Sequence, residues 1–268
     1  MIEVAFLLFS LAVGVTFFVS SLVLMNLGRR LGARYLVREG NPTVSGLNTV
    51  EGAVFALMGL VLAFAISGAL QRFDERKQLI LQEINAIGTA YDRLDLLENP
   101  ARLELKSAMK AYLRDRIDLY QKGISFSFRQ GAEVASEDRL ARLSELKTAI
   151  WDGAVKACAP AEKKPVCILI LPSLNSTFDA GQLRDGANER HPPHVLYVML
   201  FGLGLGGSLL AGFGMAATKT RSWFHMVIFA AALSVALFVV TDLEYPRLGL
   251  IRVNSFDHFL NAIYDQMQ

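Results

Sequence analysis

The sequence predicts an all-α integral membrane protein with four transmembrane helices and a helical extramembrane domain inserted between the second and the third. Hydrophobic residues make up 53% of the chain, and the mean hydropathy is positive at +0.35. The apolar residues cluster in four runs, each close to the roughly 20 residues that a spanning helix needs. These runs are residues 4–24, 52–70, 195–217 and 223–241. The predicted parts are a transmembrane hairpin (1–70), a helical domain (71–194), a second hairpin (195–241) and an amphipathic C-terminal segment (242–268).

The first apolar run is predicted to be a retained span rather than a cleaved signal peptide. It carries Glu3 instead of a basic leader and stays apolar beyond the usual length of a signal segment. A helix end and a short basic piece follow, terminated by Gly40 and Pro42. The arginines of this piece are expected to hold the loop at the lipid headgroups.

The second span is predicted to open one long helix from Glu51 to Leu97, because no proline interrupts the chain before Pro100. At 1.5 Å per residue this helix is roughly 70 Å long, about twice the thickness of a bilayer's hydrocarbon core. Its seam has the spacing of three and four that is typical of helices packing along their length. The first four seam residues are Gly or Ala, which lets helices approach closely or leaves a narrow lumen between copies, and the residues beyond Ala63 are bulky. The seam comprises Gly52, Ala56, Gly59, Ala63, Ile66, Leu70, Phe73, Lys77, Ile80, Ile84, Ile87, Tyr91 and Leu94.

The polar insert is predicted to form helices with apolar inner faces. One helix covers residues 101–122 and ends at Gly123, the next covers 137–157, and a third is broken near Pro172. The C-terminal segment is expected to lie against the membrane face or the helical domain. The expected inward-facing side chains of the first two helices are Leu105, Met109, Tyr112, Leu113, Ile117, Tyr120, Leu140, Leu143, Leu146, Ile150 and Trp151.

The two cysteines, Cys158 and Cys167, lie close together around Pro160 and Pro165, where a hairpin-like turn could bring them into contact. An oxidising compartment would join them in a disulfide. Two unrelated thiols are the alternative.

Neither an enzyme of ordinary type nor a nucleic-acid-binding protein is expected. The formal net charge is only +2, and the chain has no nucleophile elbow, Walker loop or kinase signature. Its histidines lack cysteine or carboxylate partners at ligand spacing, so neither a metal nor a cofactor is predicted. The GLGLGG stretch at residues 202–207 lies inside an apolar run, where close helix packing explains it better than a nucleotide-binding loop.

The charge pattern gives two opposite indications of the side of the membrane on which the helical domain lies. Short basic loops usually stay in the cytoplasm, which together with the cysteines favours a periplasmic helical domain. Those loops hold Arg29, Arg30, Arg34 and Arg38, and Lys219 and Arg221. Basic residues beside the opposite face favour the reverse orientation, and these are Arg72, Arg76, Lys77, Arg190, Arg247 and Arg252.

Three segments together carry a family resemblance: VEGAVFALMGLVLAFAISGALQRFDERKQLILQEINAIGTAYDRLDLL, LNSTFDAGQLRDGANERHPP and DLEYPRLGLIRV. They resemble the bacterial bestrophin-like domain family, a membrane domain of unknown function, over nearly the whole chain. The positions that match the family pattern are Glu51, Gly52, Gly59, Phe73, Arg76, Glu83, Asn85, Ala86, Thr89, Ala90, Leu94, Asn175, Asp179, Arg184, Asp242, Pro246, Arg247, Gly249 and Arg252.

The resemblance implies kinship with bestrophins, which are pentameric anion channels with four spans per subunit. In bestrophins the second span lines the pore and a helical domain follows it, and the order of parts here is similar. Two features depart from that pattern. The seam within the membrane consists of small residues and is rich in glycine, whereas bestrophins have an aromatic and aliphatic constriction. The distribution of basic residues would also place the helical domain outside the cell membrane, opposite to its side in bestrophins.

The leading hypothesis is therefore an oligomeric ion channel in the bacterial inner membrane, with lipid and inorganic ions as its partners. A preference for anions rests on the resemblance alone, whereas a ring of Glu51 would favour cations and a ring of Arg72 or Arg76 anions. A cation-selective channel and a non-conducting, membrane-anchored scaffold or sensor are the alternatives. The predicted pore-lining residues are Gly52, Ala56, Gly59, Ala63 and Ser67, with a hydrophobic constriction at Ile66, Leu70 and Phe73.

Overall fold

Helices form every regular element in the part of the chain that this computed structural model describes, which is residues 2–38, 45–122, 132–217, 223–246, 248–251, 253 and 257–267. The predicted all-α class is confirmed. The α-helices in those ranges are α1 (Ile2–Arg38), α2 (Ser45–Arg93), α3 (Ala101–Lys122), α4 (Ala132–Ala157), α5 (Lys164–Glu189), α6 (His194–Gly214), α7 (Trp223–Glu244) and α8 (Asp257–Gln266). Single 3₁₀ turns cover Leu94–Leu96, Ala161–Lys163 and Met215–Ala217.

The prediction of four membrane-spanning helices is also supported. Four stretches of the described residues are long and apolar enough to cross a membrane: Phe6–Tyr35, Thr49–Leu96, Ala161–Gly214 and Trp223–Glu244. The chain buries only 17–44% of their most apolar windows. Because lipid replaces water around such helices, this exposed apolar surface is expected of a membrane-embedded protein.

Several helices are longer than their sequence signals predict. The helix of the first span continues to Arg38 instead of ending after the span, and α4 begins at Ala132 rather than near residue 137. The predicted end of the short basic piece at Gly40 and Pro42, and the predicted helix end at Gly123, lie outside the described residues.

The break predicted at Pro172 is wrong, since α5 runs through it as one helix. A proline inside a helix removes one backbone hydrogen bond and crowds the preceding turn. Here side chains bond to neighbouring carbonyls: the Ser173 hydroxyl donates to Ile170 O at 2.8 Å, and Arg93 Nη1 donates to Leu169 O at 3.0 Å. The flanking Ile170 and Leu174 are fully buried, and their packing stabilises the helix across the proline.

The chain divides into two compact units. Unit 1 contains Glu3–Arg72 and His191–Ile251, and unit 2 contains Phe73–Arg190 and Arg252–Gln268. Each unit has its own buried apolar cluster.

The core of unit 2 lies among the second half of α2 and helices α3, α4, α5 and α8. Every inward-facing residue predicted for α3 is buried, and so are Leu143 and Ile150 of α4. Leu140 was predicted to face inward but is 52% exposed, because the buried face of α4 begins only at Leu143. Leu260 of α8 is 2% exposed and joins this core, so the C-terminal segment packs on the helical unit.

Unit 1 packs its spans through small residues. Met25 and Gly212 bring the backbones of α1 and α6 into direct contact, and Gly28 does the same against Leu209. Any side chain at either glycine would collide with a backbone carbonyl of the other helix. Close approach of this kind is the usual basis of helix association in lipid, where no hydrophobic effect draws helices together.

Candidate functional site

Small residues form an exposed side of α2 within unit 1. An atom placed at the Cβ position of Gly52 or Gly59 would meet nothing within 4 Å. The opposite side of the same helix packs into the core, where Ala65 and Ala69 are 3% and 0% exposed. The surface left open has room for a second helix or for water. All the predicted pore-lining residues are exposed: Gly52, Ala56, Gly59, Ala63 and Ser67.

The three residues predicted to form a constriction have different surroundings. Leu70 is 46% exposed. Ile66 is partly buried against the apolar cluster of unit 1, and Phe73 is partly buried against that of unit 2. Leu70 is thus the member of the set whose side chain is open to a neighbouring copy or a lumen.

The carboxylate of Glu51 lies against the last turn of α6. A Cβ atom added to Gly214 would stand 2.5 Å from Glu51 Oε2. The contact therefore depends on the absence of a side chain at Gly214, and no local pattern predicts that these two positions meet.

Arg72, predicted at a pore mouth, forms an ion pair with a buried carboxylate. Its Nε donates to Glu244 Oε1 at 2.9 Å and Oε2 at 3.2 Å, and its Nη2 also donates to Oε1. His191 Nδ1 lies 3.9 Å from Glu244 Oε2. Glu244 is fully buried, so Arg72 supplies the counter-charge that a desolvated carboxylate requires.

Arg76, the other residue predicted at the pore mouth, binds the C-terminal end of α5. It is only 3% exposed. Its Nε donates to Ala187 O at 3.2 Å, and its Nη2 donates to Arg190 O at 2.9 Å. The last carbonyls of a helix have no partners within the helix and carry partial negative charge, so the guanidinium satisfies and stabilises this terminus.

A second set of charges is buried in unit 2 around Glu83. Arg116 Nε donates to Glu83 Oε1 at 2.7 Å, and Arg184 Nη1 donates to Oε2 at 2.6 Å. Arg116 also reaches Asp185 Oδ2 at 2.8 Å, and Tyr120 bonds to both Arg116 and Asp185. Two arginines and two carboxylates balance in charge. We refer to Glu83, Arg116, Tyr120, Arg184 and Asp185 as the Glu83 cluster.

Burial shifts the titration of the Glu83 cluster. Desolvation, the largest single effect, opposes the charged form of Arg116, but Glu83, Tyr120, Tyr112 and Asp185 together outweigh it and raise the pKa of Arg116 above its ordinary value. Desolvation, reinforced by Glu83, raises the pKa of Tyr120 well above 10. At neutral pH Arg116 therefore stays charged and Tyr120 keeps its proton.

The turn after α7 is held by Asp242. Its fully buried carboxylate accepts hydrogen bonds from the backbone N–H groups of Leu250 and Ile251, each at 2.8 Å. A Cβ atom at Gly249 would overlap this carboxylate, so glycine is required there. The matching positions Arg247 and Arg252 lie outside the described residues.

The sequence signal that could have found the Glu83 cluster is an ionisable residue on an apolar helix face. Glu83 lies between Ile80 and Ile84, which are both buried. Arg116 likewise lies between Leu113 and Ile117. Lone charges at such positions indicate buried partners, although periodicity does not say which residues those partners are.

Cys158 and Cys167 form a disulfide with a Cα–Cα distance of 5.8 Å, which ties the end of α4 to the start of α5. Among the described residues, no group of three or more His, Cys, Asp or Glu side chains has the geometry of a metal site.

The fold and these features define a helical membrane protein with four candidate spans and a charge-stabilised helical unit. The sequence model of the Bestrophin-like domain matches residues 15–255. The chain therefore belongs to the Bestrophin-like family. No curated protein sequence matches it.

Solved structures of a bacterial bestrophin homolog from Klebsiella pneumoniae share the fold. One variant aligns with a TM-score of 0.69 at 14% identity and covers 94% of this chain and 98% of its own. A second variant gives a TM-score of 0.65 at 15% identity, with 93% and 98% covered. The structure determined by Zn-SAD phasing gives 0.67 at 13% identity, with 94% and 97% covered.

Proposed function

We propose that the protein is an oligomeric ion channel of the bacterial inner membrane, in which α2 of each copy lines an axial pore. The observation that carries the proposal is the exposed side of α2, where Gly and Ala recur within an otherwise bulky span. Lipid-facing neighbours on the same helix are large: Leu57, Leu60 and Phe64 are 50%, 53% and 67% exposed. Membership of the Bestrophin-like family supports the proposal, and the resemblance to pentameric bestrophins implies five copies.

In this arrangement Gly52, Ala56, Gly59, Ala63 and Ser67 face the lumen or the neighbouring copy. Ile66, Leu70 and Phe73 form the proposed hydrophobic constriction. A ring of such apolar side chains can gate a pore by excluding water.

The conducted ion is proposed from charge. Arg72 and Arg76 were the residues expected to favour anions, but both guanidinium groups are engaged by acceptors within their own units. On α2 within unit 2, Asp92 is exposed, whereas the exposed Asp74 is paired with Lys77 at 2.6 Å. An exposed carboxylate near a pore attracts cations, so Asp92 favours cation conduction over the anion conduction that the resemblance implies.

Reconstitution in a planar bilayer under a KCl gradient tests the proposal. Single-channel current steps would support a pore, and the sign of the reversal potential identifies potassium or chloride as the carrier. An oligomer that stays silent across voltage and pH would overturn the channel and favour a scaffold or sensor.

Cysteine substitution tests whether α2 lines the proposed pore. A charged, water-soluble thiol reagent should block current through Ser67→Cys, because that thiol would face the aqueous lumen. Val198→Cys is the matched control, since Val198 is 71% exposed on α6 and is expected to face lipid. The native cysteines are paired and do not compete for the reagent. If the reagent left the current through Ser67→Cys unaltered, α2 would not line the pore.

We also infer that unit 2 faces the periplasm. The Cys158–Cys167 disulfide would persist in an oxidising compartment, and the basic loop that follows the first span is expected in the cytoplasm. When intact cells are treated with a membrane-impermeant reductant and then with an impermeant thiol label, the half-buried Cys158 should be labelled. Labelling only after the membrane is permeabilised would place unit 2 in the cytoplasm.

A further inference from the structure

A small cavity in unit 1 lies between α1 and α7, with Phe201 of α6 closing one side. Its volume is about 10 Å³. Most of the residues around it are apolar, but two carry hydroxyl groups: Ser10 of α1 and Thr241 of α7. Thr241 lies three residues before Glu244, at the end of α7. The cavity is therefore near one end of the last span, and it has a polar side chain on each of two helices.

The hydroxyl group of Ser10 is buried without a hydrogen-bond partner among the described residues. Ser10 is only 3% exposed. Hydroxyl groups on α7 are satisfied within their own helix: Ser234 Oγ donates to Ala230 O at 2.7 Å, and Thr241 Oγ1 donates to Leu237 O at 2.9 Å. A buried hydroxyl without a partner destabilises the folded state. Ser10 therefore needs a partner that the described chain does not supply.

The size and the polar groups of the cavity match one water molecule. A buried water needs a volume of about 10–15 Å³ and two to four polar partners. The Ser10 hydroxyl can donate one hydrogen bond and accept others. Thr241 uses its proton for Leu237 O, but its oxygen keeps lone pairs that accept. Ser10 can thus donate to a water that in turn donates to Thr241.

A lipid chain is the other occupant that a membrane would offer, and the structure provides a separate place for it. A wider groove of about 400 Å³ lies on α1 and α6. Phe17 and Phe201 line both spaces, with ring centroids 5.5 Å apart, and so form the wall between them. A hydrocarbon chain fits the groove but has no group that could bond to Ser10.

We propose that this cavity binds a single water molecule that bridges the hydroxyl groups of Ser10 and Thr241. The water accepts the Ser10 proton and donates one of its own to Thr241 Oγ1. A hydrogen bond through water is enthalpically nearly as favourable as a direct one. Because no hydrophobic effect draws helices together in lipid, this bridge helps to hold the first span against the last.

Replacing Ser10 with alanine distinguishes a bridged hydroxyl from an unsatisfied one. Removal of a hydroxyl that has a partner destabilises the protein, whereas removal of a buried hydroxyl that has none stabilises it. Ser21 of the same helix is the matched control. It is fully buried and its hydroxyl is also without a partner in the described structure, but Ser21 does not line the cavity.

Thermal unfolding of the purified full-length protein in detergent measures the difference without requiring conduction. The midpoint should fall by about 2–4 °C in Ser10→Ala, and it should stay the same or rise in Ser21→Ala. A Ser10→Ala protein at least as stable as Ser21→Ala would overturn the bound water.

A double-mutant cycle with Thr241→Val tests the bridge itself. Ser10 and Thr241 are not bonded to each other, so only a shared ligand can couple their hydroxyl groups. The loss caused by Ser10→Ala should be smaller in a Thr241→Val background than in wild type. Equal losses in the two backgrounds would overturn the bridge to Thr241.

Solid-state NMR of the protein in lipid bilayers detects the water directly. Magnetisation transfer from water to the labelled serine side chains should reach Ser10 and should be weaker at Ser21, although both are buried. Absence of transfer to Ser10, or equal transfer to the two serines, would overturn the site whatever the unfolding midpoints are.

Discussion

Arg184 Nη1 lies 2.6 Å from Oε2 of Glu83, although the two residues are 101 positions apart in the chain. Their side chains are 2% and 0% exposed. The pair fixes α5 against α2 within unit 2, and Arg116 adds α3 through the other oxygen of the same carboxylate. One buried carboxylate thus connects three helices.

Glu83→Gln should destabilise unit 2 strongly. The substitution keeps the shape of the side chain but leaves two buried guanidinium groups without the carboxylate that compensates their desolvation. Breaking a buried ion pair by removing one partner typically costs about 3–5 kcal/mol. Chemical denaturation followed by circular dichroism measures the loss.

Glu75→Gln is the matched control for Glu83→Gln. Glu75 lies on the same helix and pairs with Arg190, but the two side chains are 44% and 65% exposed. Exposed pairs contribute about 0–1 kcal/mol. If Glu83→Gln were as stable as Glu75→Gln, the Glu83 cluster would not be what holds the three helices together.

Local sequence patterns suffice to predict the core residues of α3. The apolar period of α3 predicted Leu105, Met109 and Leu113 as core residues because a helix face depends only on positions three and four apart, and all three are buried. The partners of Glu83 lie 33 and 101 residues away. No local period contains that information, so the cluster required the fold.

Arg76 illustrates the same limit. Its position beside a span predicted a pore-mouth charge, and the sequence offered no sign that the end of α5 would lie under its guanidinium. Pro172 is the converse case: the local rule predicts a break, but the packing of Ile170 and Leu174 outweighs it. Tertiary contacts decide both positions.

Gly212→Ala should disrupt the packing of α1 on α6. The new methyl group would overlap the carbonyl oxygen of Met25, a backbone atom that cannot rotate away. Overpacking of this kind costs about 1–3 kcal/mol and occasionally more. Fluorescence-detected size exclusion after heating in detergent should show a lower midpoint for loss of the intact particle.

Gly202→Ala provides the comparison for Gly212→Ala. Gly202 lies on the same helix, and a Cβ atom there meets nothing within 4 Å. Because alanine favours the helix by about 1 kcal/mol over glycine, this variant should be as stable as wild type or more so. Equal losses in the two variants would argue against a direct backbone contact at Gly212.

Removal of the disulfide should destabilise unit 2 moderately. Cys158 and Cys167 are nine residues apart, and closing a loop of that size restricts the unfolded chain by an amount equivalent to about 2–3 kcal/mol. The double variant Cys158→Ser and Cys167→Ser should unfold at a lower denaturant concentration than wild type. Wild-type protein treated with reductant should match it, and addition of reductant to the double variant should change nothing.

Alkaline pH should weaken the packing of α3 because Tyr112 must keep its proton in the folded state. Desolvation, partly offset by the nearby Arg116, raises the pKa of Tyr112 to about 12, whereas an unfolded tyrosine ionises near 10. Between these values the folded chain binds the extra proton, so stability falls as the pH rises from about 10 to 12. Tyr112→Phe, which cannot ionise, should show a smaller fall, measured by denaturation at pH 9 and pH 11. Tyr35→Phe serves as the control because Tyr35 is 38% exposed. An equal fall in Tyr112→Phe and wild type would mean that Tyr112 does not contribute to the alkaline loss of stability.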